Sequence, residues 1–124
     1  MKNALILCSG GLDSVTTAHL AKKSLGYKKI KILFFNYRQR NLREEKKFSR
    51  NCAFELRAEF IEIPLTWLNK ISTSLINSAK KANKLKRKDL KNTREESNKW
   101  YVPYRNAVFI INALAFAESL YIKE

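Results

Sequence analysis

Ser9-Gly10-Gly11-Leu12-Asp13-Ser14 follows directly on an apolar run, Asn3 to Cys8, and leads into a helical pattern. Two adjacent glycines let the backbone take torsions, and let a ligand approach, that side chains would block. Successive N–H groups can then converge on an anion. The start of the following helix adds unpaired N–H groups and the positive end of its dipole. Ser9 and Ser14 can donate hydroxyl hydrogen bonds to phosphate oxygens, and Asp13 can help hold Mg²⁺ or cap the helix. A plain tight turn with Asp13 as N-cap uses the same residue types, so both readings stand at this level. Two other phosphate loops are excluded by spelling, because neither G-x-x-x-x-G-K-[ST] nor G-x-G-x-x-G occurs.

The elements that must position this loop follow from periodicity. Asn3 to Cys8 has the continuous apolar character of a strand buried on both faces. From Asp13 to Leu25, Val15, Ala18, Leu20, Ala21 and Leu25 recur at helical spacing, with Gly26 where a C-cap belongs. Lys29 to Asn36 is a second buried strand, giving a right-handed parallel unit. A second helix is expected from about Asn41 to Leu56, with Phe48, Cys52, Phe54 and Leu56 as core contacts. Glu59 to Ile63 alternates as a third strand, closed by Pro64. Residues 69–99 lose apolar content and read as a polar, basic insertion. Ala107 to Leu120 is a helix that is apolar nearly all round and expects burial on more than one side. Strands alternating with helices mean an α/β fold, a Rossmann-like parallel sheet flanked by helices. All of it, residues 1–124, is read as one domain.

Charge narrows the company this chain keeps. It carries 25 basic against 11 acidic residues, net +14, which favours polyanions such as ATP, a nucleic acid or an acidic surface. Lysine supplies most of the excess and is scattered, so the stretch Lys80 to Lys99 reads as a solvated basic loop before it reads as an RNA site. Two cysteines outside any C-x-x-C spacing point to a reducing cytosol. No run is long enough to span a bilayer, so a cytoplasmic protein without a membrane partner is expected.

The S-G-G-x-D-S spelling resembles the signature of the ATP pyrophosphatase, or PP-loop, superfamily, whose members activate a carboxylate, a carbonyl or a tRNA base with ATP, usually by adenylation. Two further stretches narrow the resemblance. Asn36-Tyr37-Arg38-Gln39-Arg40-Asn41 is similar to the D-Y-G-Q-R-H segment of the 7-cyano-7-deazaguanine synthases of queuosine biosynthesis. Val102-Pro103-Tyr104-Arg105-Asn106, running into a helix with Phe109, is similar to their V-P-x-R-N-x-x-F element. The resemblance implies an ATP-dependent carbon–nitrogen ligase that makes 7-cyano-7-deazaguanine from 7-carboxy-7-deazaguanine and ammonia, through an activated carboxylate and an amide.

Carried over residue by residue, Cys8, Ser9, Gly10, Gly11, Leu12, Asp13 and Ser14 would bind ATP, with Asp13 also on Mg²⁺. Tyr37, Gln39 and Arg40 would line the substrate or nucleotide side of the cleft. Arg105 would steady phosphate or carboxylate charge, for which its planar fork is suited, and would join Asp13 in catalysis. Asn106 would cap the last helix and face the substrate. Each has a plainer reading: Gln39 and Arg40 as solvated first-turn residues, Tyr37 as packing, Arg105-Asn106 as a simple helix start, Cys8 as a small core residue, His19 as a boundary residue.

The departures are as specific as the matches. Asn36, Arg38 and Asn41 stand where the family has aspartate, glycine and histidine, and an arginine for a turn glycine suggests altered backbone geometry. The family's second half, with its own substrate segment and a four-cysteine zinc site, has no counterpart here. A helix apolar on most faces beside a three-stranded sheet would also expose a hydrophobic flank. The expectation is therefore the nucleotide-binding half of such an enzyme (a truncated half, a split-gene product or a decaying member), inactive alone, with a homodimer or a missing half as its partner and no direct nucleic-acid contact. The readings left beside it are a PP-loop tRNA-modifying enzyme, of thiolase or lysidine synthetase type, and a non-catalytic basic RNA-binding module.

Overall fold

The computed structural model describes residues 2–72, 94–95 and 102–122. In chain order the elements are β1 (Asn3–Leu7), α1 (Leu12–Lys23), β2 (Lys29–Asn36), α2 (Leu42–Glu55), β3 (Glu59–Pro64), α3 (Trp67–Ile71) and α4 (Arg105–Ser119). The strands form one parallel sheet in the order β1-β2-β3, with Ile6 opposite Ile32 and Ile32 opposite Phe60. This is the Rossmann-like α/β arrangement that the alternation of strands and helices predicts.

The pleat divides the apolar residues between two layers. On one face Ala4, Ile6, Ile30 and Ile32 pack with Ala18 and Ala21 of α1 and with Cys52, Ala53 and Leu56 of α2. On the other, Leu33, Phe35 and Ile63 meet Leu65 and Leu68, and Val108, Phe109, Ala113 and Phe116 of α4 lie partly buried against them. β2 is central and covered on both sides over residues 32–35, where Ile32, Leu33, Phe34 and Phe35 are apolar and buried without a break; before them Lys29 and Lys31 alternate with Ile30.

Several expectations need correction. Gly11, in extended conformation, is the N-cap of α1 and no side chain caps it, so Asp13 sits inside the first turn instead of capping. Ala18 and Ala21 are the buried residues of α1, while Leu20 and Leu25 are exposed: the helix approaches the sheet through its small residues. In α2 the contacts fall on Cys52 and Leu56, but Phe48 and Phe54 point outward, the latter 86% exposed. α3 forms where the polar insertion was expected to begin; the rest of that stretch, apart from residues 94–95, lies outside the described residues. α4 starts at Arg105, two residues early, and Tyr104 is its N-cap at φ +47, so Asn106 is inside the helix rather than capping it.

No residue of α4 is fully buried. Its expected burial on several sides is replaced by a hydrophobic flank, with Ile110, Ile111 and Leu114 exposed, as a helix apolar all round beside a three-stranded sheet must leave.

Candidate functional site

A cleft of about 420 Å³ opens at the carboxyl ends of β1 and β2, where α/β sheets hold their ligands. Leu7, Cys8, Ser9 and Ser14 line it from the first strand–helix junction. Leu33, Phe34, Phe35, Tyr37 and Gln39 line it from β2 and its exit, and Arg105, Asn106 and Phe109 from α4. Three stretches spread over a hundred residues of sequence thus meet around one space. Glu45 of α2 completes the lining.

Gly10 is fixed by geometry. It takes φ +80, and a Cβ there would stand 2.5 Å from the Glu45 carbonyl oxygen and 2.9 Å from the Phe48 Cβ. Only glycine lets the loop pass this close to α2. Gly11 is different: its φ is −75 and the nearest atom to an added Cβ is Ser9 Oγ at 3.6 Å. Behind the loop, the Ser49 hydroxyl donates to the Cys8 carbonyl at 2.9 Å and the Cys8 N–H to the Leu33 carbonyl at 2.9 Å, tying the end of β1 to α2 and β2. The Ser14 hydroxyl donates to the Gly11 carbonyl at 3.1 Å, so it must turn from that bond to serve a phosphate. Cys8 is a buried core residue that also borders the cleft.

Gln39 is 2% exposed and fully engaged. Its amide nitrogen donates to the Phe35 carbonyl at 3.1 Å and to Glu45 Oε2 at 3.0 Å, and its oxygen accepts the Tyr37 N–H at 3.1 Å. That overturns the solvated first-turn reading: Gln39 is the brace that shapes the exit of β2. Arg38 takes φ +55, a left-handed turn that a glycine enters without strain and an arginine does not. Asn36 supports it, its Oδ1 accepting the Arg38 N–H at 3.2 Å while its Nδ2 donates to Glu62 at 2.9 Å.

Tyr37 is buried, its ring 5.5 Å from that of Phe109, which in turn stacks on Phe35 at 4.5 Å. Arg105 Nη1 donates to its hydroxyl at 3.4 Å. Burial pushes the Tyr37 phenol up from its ordinary value and the Arg105 charge offsets part of that, so the group stays protonated near neutrality. The cleft therefore has an aromatic wall, with Phe35 and Phe109 stacked and Tyr37 tilted 51° to Phe109, and a cation at its edge.

Leu12 and Asp13 are exposed, and they, Gly10, Gly11 and Arg40 lie outside the cleft lining. Among the described residues no group of three His, Cys, Asp or Glu side chains is placed to hold a metal ion, so the residues present do not build a Mg²⁺ cage around Asp13. No described helix is long and apolar enough to cross a membrane. Glu45 carries no signal in the sequence: it is one of two adjacent glutamates at a helix start, and only the loop's approach to α2 turns it into the cleft.

Comparison with known proteins gives the family of the chain. The family described as queuosine biosynthesis protein QueC matches residues 3–124. The 7-cyano-7-deazaguanine synthase of Methanoculleus marisnigri is 38% identical over 121 residues, covering 97% of this chain and 50% of that protein. The synthase of Nitratiruptor sp. is 36% identical over 115 residues, covering 93% and 49%, and that of Campylobacter curvus 38% over 122, covering 95% and 50%. The chain spans about half the length of the curated relatives it matches, and over nearly all of its own length it belongs to the QueC family of queuosine biosynthesis proteins.

Proposed function

We propose that this chain supplies the ATP-binding half of a 7-cyano-7-deazaguanine synthase, converting 7-carboxy-7-deazaguanine, ammonia and ATP to the nitrile. The observation that carries the reading is the convergence of Ser9 and Ser14, Tyr37 and Gln39, and Arg105 and Asn106 on one cleft. Family membership supports the queuosine role, and the names of the relatives supply the product.

The chemistry asks three things of the site. A carboxylate oxygen must attack the α-phosphorus of ATP as pyrophosphate leaves. Ammonia must then displace AMP and lose a proton to give the amide. The amide oxygen must attack the α-phosphorus of a second ATP, expelling pyrophosphate, and depart with AMP as two N–H protons are lost and the nitrile forms. The loop N–H groups and the hydroxyls of Ser9 and Ser14 hold phosphate oxygens. Arg105 sits where it can neutralise charge gathering on phosphate or carboxylate, and a preorganised cation in a partly desolvated site stabilises that charge more than water does. Tyr37, Phe35 and Phe109 offer an aromatic wall for a heterocycle, with the protonated Tyr37 hydroxyl as a donor. Mg²⁺, where present, would travel with the ATP phosphates and screen their charge; Asp13 remains the proposed contact from this chain. We assign residues 1–124 to one nucleotide-binding domain, and the two free buried thiols fit a reducing, cytosolic compartment.

The test is mass-resolved product analysis with the three substrates, run on this chain and on the chain supplemented with the second half of a relative. Nitrile from the supplemented sample, lost in Arg105→Ala, is the expected result. ATP bound without any amide or nitrile in either sample overturns the synthase assignment. The same arrangement with a tRNA product instead would favour a PP-loop tRNA-modifying enzyme.

A further inference from the structure

Glu45 is out of place beside a phosphate loop. The other polar groups at the cleft are donors or neutral: the hydroxyls of Ser9 and Ser14, the Arg105 guanidinium, the Asn106 amide and the protonated Tyr37. Glu45 is the one carboxylate among the described lining residues, and its backbone carbonyl lies against Gly10. A carboxylate there repels phosphate, so its presence asks for a ligand group that only an acceptor can serve. One of its oxygens, Oε2, is already taken by the Gln39 amide, which holds the side chain in place; Oε1 accepts no hydrogen bond among the described residues. A braced carboxylate with one open oxygen, a few side chains from an aromatic wall, is the geometry that reads an amino-bearing ring.

We propose that Glu45 is a ligand-binding, specificity-determining residue whose free oxygen accepts an N–H from the edge of a purine-like heterocycle stacked in this cleft. The inference deepens the proposed function and rests on it for the identity of the ring. Two sources share the chemistry: the 6-amino group of ATP and the 2-amino and ring N–H groups of 7-carboxy-7-deazaguanine. A divalent cation is the competing occupant, disfavoured because no three metal-ligating side chains are gathered among the described residues. A site built to hydrogen-bond an N–H rejects the analogue that lacks it, because the buried acceptor is left unpaired.

Glu45→Gln isolates the open oxygen. A glutamine can still accept the Gln39 N–H through its own oxygen, but presents an NH₂ where the second carboxylate oxygen stood. Calorimetric titrations would compare the wild-type chain and E45Q, with folding checked by near-UV circular dichroism, against ATP, purine riboside triphosphate, 7-carboxy-7-deazaguanine and its 2-desamino counterpart. The wild type is expected to prefer the amino-bearing member of one pair by tenfold or more, and E45Q to lose that preference while binding the desamino member as the wild type does. Whichever pair responds identifies the source.

Equal binding of every pair by the wild type overturns the proposal even if E45Q does not fold. So does a preference that E45Q retains, or an E45Q defect that vanishes when Mg²⁺ is withheld, which would assign Glu45 to the cation. Failure of the wild type to bind any of the four ligands would instead bring down the proposed function; binding without discrimination by Glu45 brings down this inference alone.

Discussion

The two faces of the sheet are built from similar numbers of apolar residues and end up as different objects. On the face covered by α1 and α2, small residues let the helices sink onto the strands: Ala18, Ala21, Cys52 and Ala53 are buried and closely packed. On the face covered by α4, nothing in the helix is fully buried, the contact runs through aromatic rings, and Ile110, Ile111 and Leu114 face outward. A helix held close makes a core, and one held off by rings leaves room for a cleft. The first face carries the fold and the second borders the cleft, with Gly10 where the loop after β1 is pressed against α2.

Substitution at that point should have the largest effect. Gly10→Ala places a methyl group against the Glu45 carbonyl and into a left-handed backbone, so loop and α2 must part. The expected cost is about 2–4 kcal/mol in chemical denaturation, from strain and overpacking together, with ATP binding lost at least tenfold. Gly11→Ala, with only an ordinary contact to Ser9 Oγ and an ordinary φ but at the N-cap of α1, should cost no more than about 1 kcal/mol. Equal effects at the two glycines would mean that the loop is not anchored on α2.

The α4 face is sharpened by a pair on opposite sides of the same helix. Phe109→Ala removes the stack on Phe35 and the contact with Tyr37, and should cost about 2–3 kcal/mol, below the fully buried range because the ring is only half-buried. Leu114→Ser, on the exposed flank, should change monomer stability by less than about 0.5 kcal/mol and reduce self-association in sedimentation velocity. A large loss of stability in Leu114→Ser would show that this flank is covered in the folded protein, and would erase the difference between the faces.

How much of this was legible in the residues follows the same division. Strand positions, the parallel α/β class and the glycine-bearing junction of β1 with α1 were readable because periodicity and a contiguous motif are local properties. Asp13, Phe48 and Phe54 were misplaced because helix rotation is set by what the helix packs on, and alanines on one side brought α1 and α2 closer than their large residues would allow. Gln39 looks like a polar first-turn residue until the turn at Arg38 folds its amide under the strand exit. Glu45 was invisible for the same reason: its place at the cleft depends on Gly10, 35 positions away in the chain, and on the folded-under Gln39 amide that holds it.

The smallest expected effect separates the faces by electrostatics. Burial raises both Tyr37 and Cys52, but the neighbours act in opposite directions: Arg105 offsets the rise at Tyr37, while on the other face the Cys8 thiol adds to it and Cys52 is pushed up to about 11. A group whose pKa is raised on folding stabilises the protein fully below its unfolded value, here 9.0, and loses that contribution as pH climbs through the folded value. Near neutrality Cys52 should therefore contribute no pH dependence and resist alkylation by iodoacetamide, with stability falling only between about pH 9 and 11. Cys52→Ala should flatten that alkaline limb without altering the profile below pH 8. Rapid alkylation of folded protein at pH 8 would mean that the α1/α2 face opens, and that the closer-packed half of the molecule is not the more rigid one.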